Sequence, residues 1–287
     1  METDAVKPVF ALMGEFSAGK STLANLLLGS GLSRVKVTAT QMPPVWFKYG
    51  SGNPVVVTTE GQETEIDLAD LETVPVDTTA YIRVYVESDL LEILELIDMP
   101  GNSDPNMSAD VWRRSLHHAD GVIWCTHANQ AWRQSEAAAW EDVDNKLYAR
   151  SILLLTRFDK IREEKDRRRL VKRVAAEAAD QFRAVLPISL LQASEAGEDR
   201  EAWEASGAEE FLRVFLDIAM DPVTTTSHPQ PNEHGAAPGT DGPLLLDSPI
   251  AEGVPQDARD ATSVIPRRVA VKKAAPSERP PAERPRS

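Results

Sequence analysis

The run Gly14-Glu15-Phe16-Ser17-Ala18-Gly19-Lys20-Ser21 decides the fold. It matches the pattern G-x-x-x-x-G-K-[ST] and has the flanks that pattern requires. Before it lies the apolar run 8–13 (PVFALM), which predicts a buried strand; after it Lys20–Leu28 (KSTLANLLL) predicts a helix. Gly14 and Gly19 let the backbone curl so that successive N–H groups point at a β-phosphate. Lys20 adds a point charge toward the β- and γ-phosphates, and the helix N-terminus adds its partial positive charge. The Ser21 hydroxyl is a hard oxygen suited to Mg²⁺. The expected cradle is therefore Gly14, Glu15, Phe16, Ser17, Ala18, Gly19, Lys20, Ser21 and Thr22.

Outward from the loop, strand-like and helix-like stretches alternate through residue 220. Val45–Tyr49 and 54–59, joined by Gly50-Ser51-Gly52-Asn53, predict a hairpin, and 81–87 with 91–97 predict a second strand pair. Residues 107–118 precede the apolar run 121–125 (GVIWC); 135–143 predict a helix and 151–156 (SILLLT) another buried strand. Leu170, Val171, Val174, Ala178, Phe182 and Val185 recur at helical spacing, so an amphipathic helix is expected over 161–184. A short strand at 185–189 and a closing helix at 208–220, striped with Phe211, Leu212, Phe215 and Ile218, complete the series. Such alternation predicts an α/β fold: a P-loop NTPase three-layer sandwich, with a mainly parallel sheet and an added antiparallel strand pair.

Two further stretches bear on the ligand. Asp98-Met99-Pro100-Gly101 ends an apolar run; an aspartate there can hold a water on Mg²⁺, while Gly101 lets a backbone N–H approach a γ-phosphate. Thr156-Arg157-Phe158-Asp159 ends the next run. A carboxylate at 159 can accept two hydrogen bonds from guanine, from N1–H and the 2-amino group. Adenine would leave it desolvated and unpaired, at a cost of about 1–3 kcal/mol or more for a charge. Thr156 can bond back to the phosphate loop, and the Arg157 stem can lie over the purine face. Ser189-Leu190 can offer a backbone N–H to the guanine oxygen.

Composition narrows the class. The chain has 287 residues, 42% hydrophobic and 26% charged, enough to build a core, and its single cysteine allows no internal disulfide. No apolar run reaches the roughly 18 residues of a membrane span, the start does not read as a signal peptide, and a cytoplasmic protein is expected. A net charge of −14 argues against a general nucleic-acid binder, so no nucleic-acid partner is expected. Residues 221–287 hold 12 of the 20 prolines and no aromatic residue. That composition predicts a disordered tail following a 1–220 domain. The tail carries seven acidic and one basic residue over 221–263, then seven basic and two acidic over 264–287. Its basic end leaves contact with the inner membrane face as an open alternative to a solubilising role. Arg133, in an Asn-Gln-Ala-Trp-Arg-Gln stretch, can reach a nucleotide, a partner molecule or solvent alike.

With these motifs in order, residues 7–220 resemble the dynamin-like GTPases, particularly the bacterial ones. The likeness rests on GEFSAGKST at 14–22, Thr38-Ala39-Thr40-Gln41-Met42-Pro43, DMPG at 98–101, TRFD at 156–159, and the phrases ADGVI at 119–123 and ANQ at 128–130. The resemblance implies that Thr40, with Thr38 as its competitor, is the switch threonine whose hydroxyl joins Ser21 and Asp98 around Mg²⁺. It also implies that Ser17 positions the attacking water and a monovalent cation such as K⁺, making Ser17, Lys20 and Thr40 the catalytic set. Asn102 fits a family without a catalytic glutamine after DxPG. Arg157 stands where the family's TKxD motif has lysine, Phe16 where several relatives are polar, and no stretch reads as the family's helical stalk. The implied activity is hydrolysis of GTP to GDP by a G domain that works as a homodimer or with a partner dynamin-like chain. Two alternatives remain open: a guanine-nucleotide-binding scaffold with negligible hydrolysis, and the G subunit of a membrane-associated assembly.

Overall fold

The computed structural model describes residues 6–29, 42–101 and 114–221. They fall in one of two compact units, Met1–Glu233; the other, His234–Ser287, and with it nearly all of the expected tail, lies outside the described residues. In chain order the elements are β1 (Val9–Gly14), α1 (Lys20–Leu28), β2 (Val45–Tyr49), β3 (Val55–Thr58), β4 (Glu63–Glu65), β5 (Thr79–Val86), α2 (Asp89–Ile93), β6 (Glu95–Asp98), β7 (Gly121–His127), α3 (Gln134–Trp140), β8 (Ile152–Thr156), α4 (Glu164–Glu177), β9 (Ala184–Pro187), α5 (Leu190–Ala196), α6 (Arg200–Ala205) and α7 (Ala208–Met220). The strands form one sheet in the order β4-β3-β5-β2-β6-β1-β7-β8-β9.

β6, β1, β7, β8 and β9 run parallel. β1 is buried at all six positions because it has a ladder partner on each side and a layer over each face. Its alternation feeds two cores. Phe10 and Leu12 join Leu23 and Leu27 of α1 and Phe211 and Phe215 of α7. Val9, Ala11 and Met13 join Trp124, Trp140 of α3 and Val174 of α4 on the other face. Phe10 meets Phe215 edge to face at 4.9 Å, which fixes α7 against the central strand. The result is the three-layer α/β architecture expected, with Gly14, Asp98 and Thr156 ending parallel strands on one edge of the sheet, where such folds bind ligands.

The strand pairing differs from expectation at both predicted strand pairs. β2 and β3 are not a hairpin: β5 lies between them, parallel to β2 and antiparallel to β3. β5 and β6 are likewise separated, by β2, which runs antiparallel to β6. Val45, Trp46 and Phe47 are buried in succession because the sheet is covered on both faces here, Val45 and Phe47 facing one core and Trp46 the other. The antiparallel pair joined by a short turn is instead β3 with β4. The start of the expected strand 91–97 is the helix α2, whose Leu91, with Leu94 just beyond it, buries at helical spacing; only Glu95–Asp98 are extended. α4 is also shorter than 161–184. It ends at Glu177, Asp180 takes a left-handed conformation (φ 65°), and Phe182 turns inward to stack on Trp140 at 4.1 Å.

Candidate functional site

The phosphate loop is shaped by contacts with its own neighbours. Gly14 has φ 135°, and a Cβ there would sit 2.1 Å from the carbonyl oxygen of Cys125, so no other residue fits. Lys20 Nζ donates to the carbonyl oxygens of Gly14 and Glu15, both at 2.9 Å, folding the ammonium back over the loop. Lys20 is only 7% exposed. Burial lowers its pKa, opposed by the negative field of Asp98. Gly101 closes the loop from the opposite side, where an added Cβ would lie 3.1 Å from the backbone of Phe16. Phe16 itself projects outward, 58% exposed, and Ser17 holds a left-handed conformation with φ 59°. Thr22 lies in the first turn of α1, exposed as Ser21 is.

Ser21 and Asp98 come together at the start of α1. Ser21 Oγ donates to Asp98 Oδ2 at 3.4 Å, a long bond, while Asp98 Oδ1 is buried with no hydrogen-bond partner. Burial pushes the Asp98 carboxyl up to about 6, although Lys20 and Ser21 pull the other way. A buried oxygen that lacks a donor, beside a hydroxyl with free lone pairs, fits a hard divalent cation. Thr38, Thr40 and Asn102 lie outside the described residues.

The base-side residues reach the same loop through β8. Thr156 Oγ1 donates to Ala18 O at 2.8 Å and lies 3.1 Å from Thr126 O, so a fully buried side chain ties β7 and β8 to the loop. Arg157, left-handed at φ 53°, extends its Nη2 to Ser17 O at 3.1 Å. Asp159 follows in a 3₁₀ turn, Phe158–Lys160. Its Oδ1 accepts from Ser189 Oγ at 2.9 Å and its Oδ2 lies 3.1 Å from Lys160 Nζ. Desolvation works against the Asp159 charge, but Lys160 and Ser189 outweigh it and hold the carboxyl below its ordinary range. The Ser189 N–H, expected to face the base, donates instead to Ser206 O at 2.8 Å; its contribution here is the side-chain bond to Asp159. Leu190 opens α5 and lies 3.0 Å from where a Cβ on Gly19 would be.

Three residues near the loop, Glu136, Ser135 and His127, escape a sequence reading, and Arg133, whose role the sequence leaves open, joins them. Glu136, 2% exposed, accepts from Thr126 Oγ1 at 2.8 Å, Trp124 Nε1 at 3.3 Å and the Arg133 N–H at 3.0 Å. Arg133 and Ser135 both reach the Glu15 carboxylate, Arg133 as an ion pair and Ser135 Oγ by a 3.0 Å bond. His127 touches the Ser17 backbone, and burial, joined by the Arg157 charge, lowers its pKa. Only the Arg-x-x-Glu spacing at 133–136 hints at this cluster, since a glutamate three residues into a helix often caps its start.

A phosphate loop that opens a helix, a metal-suited Ser–Asp pair beside it and a carboxylate turn tied back to it define a P-loop nucleotide-binding domain. More narrowly, the sequence profile described as "Dynamin family" matches residues 10–158, and the chain belongs to that family. Dynamin-like protein 2 of Campylobacter jejuni subsp. jejuni serotype O:23/36 (strain 81-176) is 23% identical over 219 residues, 72% of this chain and 34% of that protein. Two solved structures of an oligomerised bacterial dynamin pair, described as giving a mechanism for the long-range sensing and tethering of membranes, align over 74% of this chain and 35% of theirs, each with a TM-score of 0.53, at 23% and 22% identity. The chain thus spans about a third of the length of these relatives. No helix among the described residues is long and apolar enough to cross a membrane.

Proposed function

We propose that this chain is a GTP-hydrolysing switch that binds guanine nucleotide with Mg²⁺ and turns over faster when two G domains meet. The reading rests chiefly on one observation: the phosphate loop and the Asp159 turn share an edge of the sheet, joined by the 2.8 Å bond from Thr156 to Ala18. A nucleotide with its diphosphate in the loop then has its base near Asp159.

Each residue has a definable task. Backbone N–H groups of Gly14–Ser21 wrap the β-phosphate, and Lys20 exchanges its two carbonyl partners for phosphate oxygens. Mg²⁺, when bound, supplies charge neutralisation between the β- and γ-phosphates. Ser21 would hold it directly and Asp98 through water, and the family resemblance assigns Thr40 a further hydroxyl oxygen. Ser17, on the exposed shoulder of the loop, orients the attacking water and a K⁺ ion. Asp159 accepts from the guanine N1–H and 2-amino group, its own orientation set by Ser189. The oligomerised bacterial dynamin pair among the structural neighbours supports assembly with a second copy or a related chain; that the G domain is the pairing surface is what the family resemblance implies. The tail and any membrane contact belong to this proposal only as an accessory.

Calorimetry with GDP, GTP and ATP in Mg²⁺, followed by turnover at rising protein concentration with and without K⁺, tests it. Guanine-selective binding and a rate per molecule that rises with concentration are expected. Equal affinity for ATP, or undiminished hydrolysis by Lys20→Ala, would overturn it.

A further inference from the structure

Glu15 is the one acidic residue in the loop Gly14–Ser21, where a polyphosphate has to be received. A carboxylate in that position repels the ligand, and a partly buried site screens the repulsion poorly. The structure gives both of its oxygens partners. The Arg133 guanidinium pairs with Oε2 and Ser135 Oγ donates to Oε1 at 3.0 Å, leaving the Glu15 side chain 15% exposed. Arg133 is itself aimed from below. Its N–H is bonded to buried Glu136, which also grips Thr126 and Trp124, and the preceding Trp132 is held in a left-handed turn (φ 57°). The backbone carbonyl of the same Glu15 accepts from Lys20 Nζ, so fixing Glu15 also fixes the resting place of the lysine.

We infer that Arg133 is a positioning residue for the phosphate loop: it neutralises Glu15 and holds the loop's first turn in its ligand-receiving shape. It acts through Glu15 rather than on the phosphates. The inference rests on the loop being the phosphate site proposed above, but not on the choice of guanine. Its effect follows ligand charge and is the same for any base.

Dissociation constants would be measured for GDP and for non-hydrolysable GTP and ATP analogues, at low and high salt, on wild type, Arg133→Ala, Glu15→Gln and the double variant. Arg133→Ala is expected to weaken whichever triphosphate binds at least tenfold, and the diphosphate by less. Because the site is partly buried, added salt should shrink that loss only in part. Adding Glu15→Gln should restore binding to within about threefold of wild type, because the unpaired charge is then gone. A merely misfolded variant would not be rescued by removing a carboxylate. If Arg133→Ala does not fold, Arg133→Gln alone and with Glu15→Gln gives the same comparison. Wild-type affinity in the arginine variant, or a double variant as weak as the single, overturns the inference. Equal wild-type affinity for the GTP and ATP analogues would instead overturn the guanine assignment alone.

Discussion

Asp98 gives the sharpest quantitative test. Its carboxyl is raised from an ordinary 3.8 to about 6, chiefly by burial. Between those values the folded protein holds a proton that the unfolded chain has released, so stability falls as pH rises through that window. At about 1.4 kcal/mol per pH unit the gap amounts to ~3 kcal/mol, fully expressed above pH 6 and absent below pH 4. Asp98→Asn removes the ionisation while keeping the shape. Urea unfolding in EDTA should therefore find the variant about 1–3 kcal/mol more stable than wild type at pH 8, with the difference closing toward pH 4. Mg²⁺ with nucleotide should reverse the order, stabilising only wild type, and its affinity for wild type should weaken below pH 6 as the proton competes. A variant less stable than wild type at pH 8, or a difference that ignores pH, would refute the picture of Asp98 as a buried charge awaiting a cation.

Other outcomes follow from single contacts. On the proposed reading, Asp159→Asn exchanges an acceptor for a donor opposite the guanine N1–H and should weaken GDP binding by about 2–4 kcal/mol, roughly 30-fold to 1000-fold in affinity, read by calorimetry. Thr156→Val removes a buried hydroxyl bonded to the Ala18 carbonyl and should cost about 1–3 kcal/mol of stability by urea titration, with nucleotide affinity falling alongside. Phe215→Ala empties the edge-to-face contact beneath Phe10 and should cost about 3–5 kcal/mol in the same titration, lowering stability without shifting any preference between GTP and ATP.

Much of this molecule is legible in its sequence because its chemistry is local. The loop 14–21 declares itself through residue types at fixed spacing, α1 through its place directly after the loop and α7 through periodicity, their boundaries matching the residues read from the pattern. Strand partners are a different matter. Nothing between Val45 and Ile97 says that β5 returns between β2 and β3, because local pattern reports that a strand forms and not which strand it pairs with. The overlong helix 161–184 has a similar origin: Phe182 and Val185 keep the helical phase by chance, yet Phe182 serves the aromatic cluster around Trp140 and Val185 pairs in β9. In the site, the residues in the motifs could be named one by one. The clamp on Glu15 could not, because Glu136 reads as an ordinary helix acid until Thr126 and Trp124 are seen to converge on it.

The account's central claim is that a purine bound through this phosphate loop meets Asp159. Displacement of labelled GDP from the wild-type protein by unlabelled GDP and ADP, each with Mg²⁺, tests it most directly. GDP should compete at least a hundredfold better than ADP, and Asp159→Asn should erase most of that advantage; comparable competition by both nucleotides would contradict it.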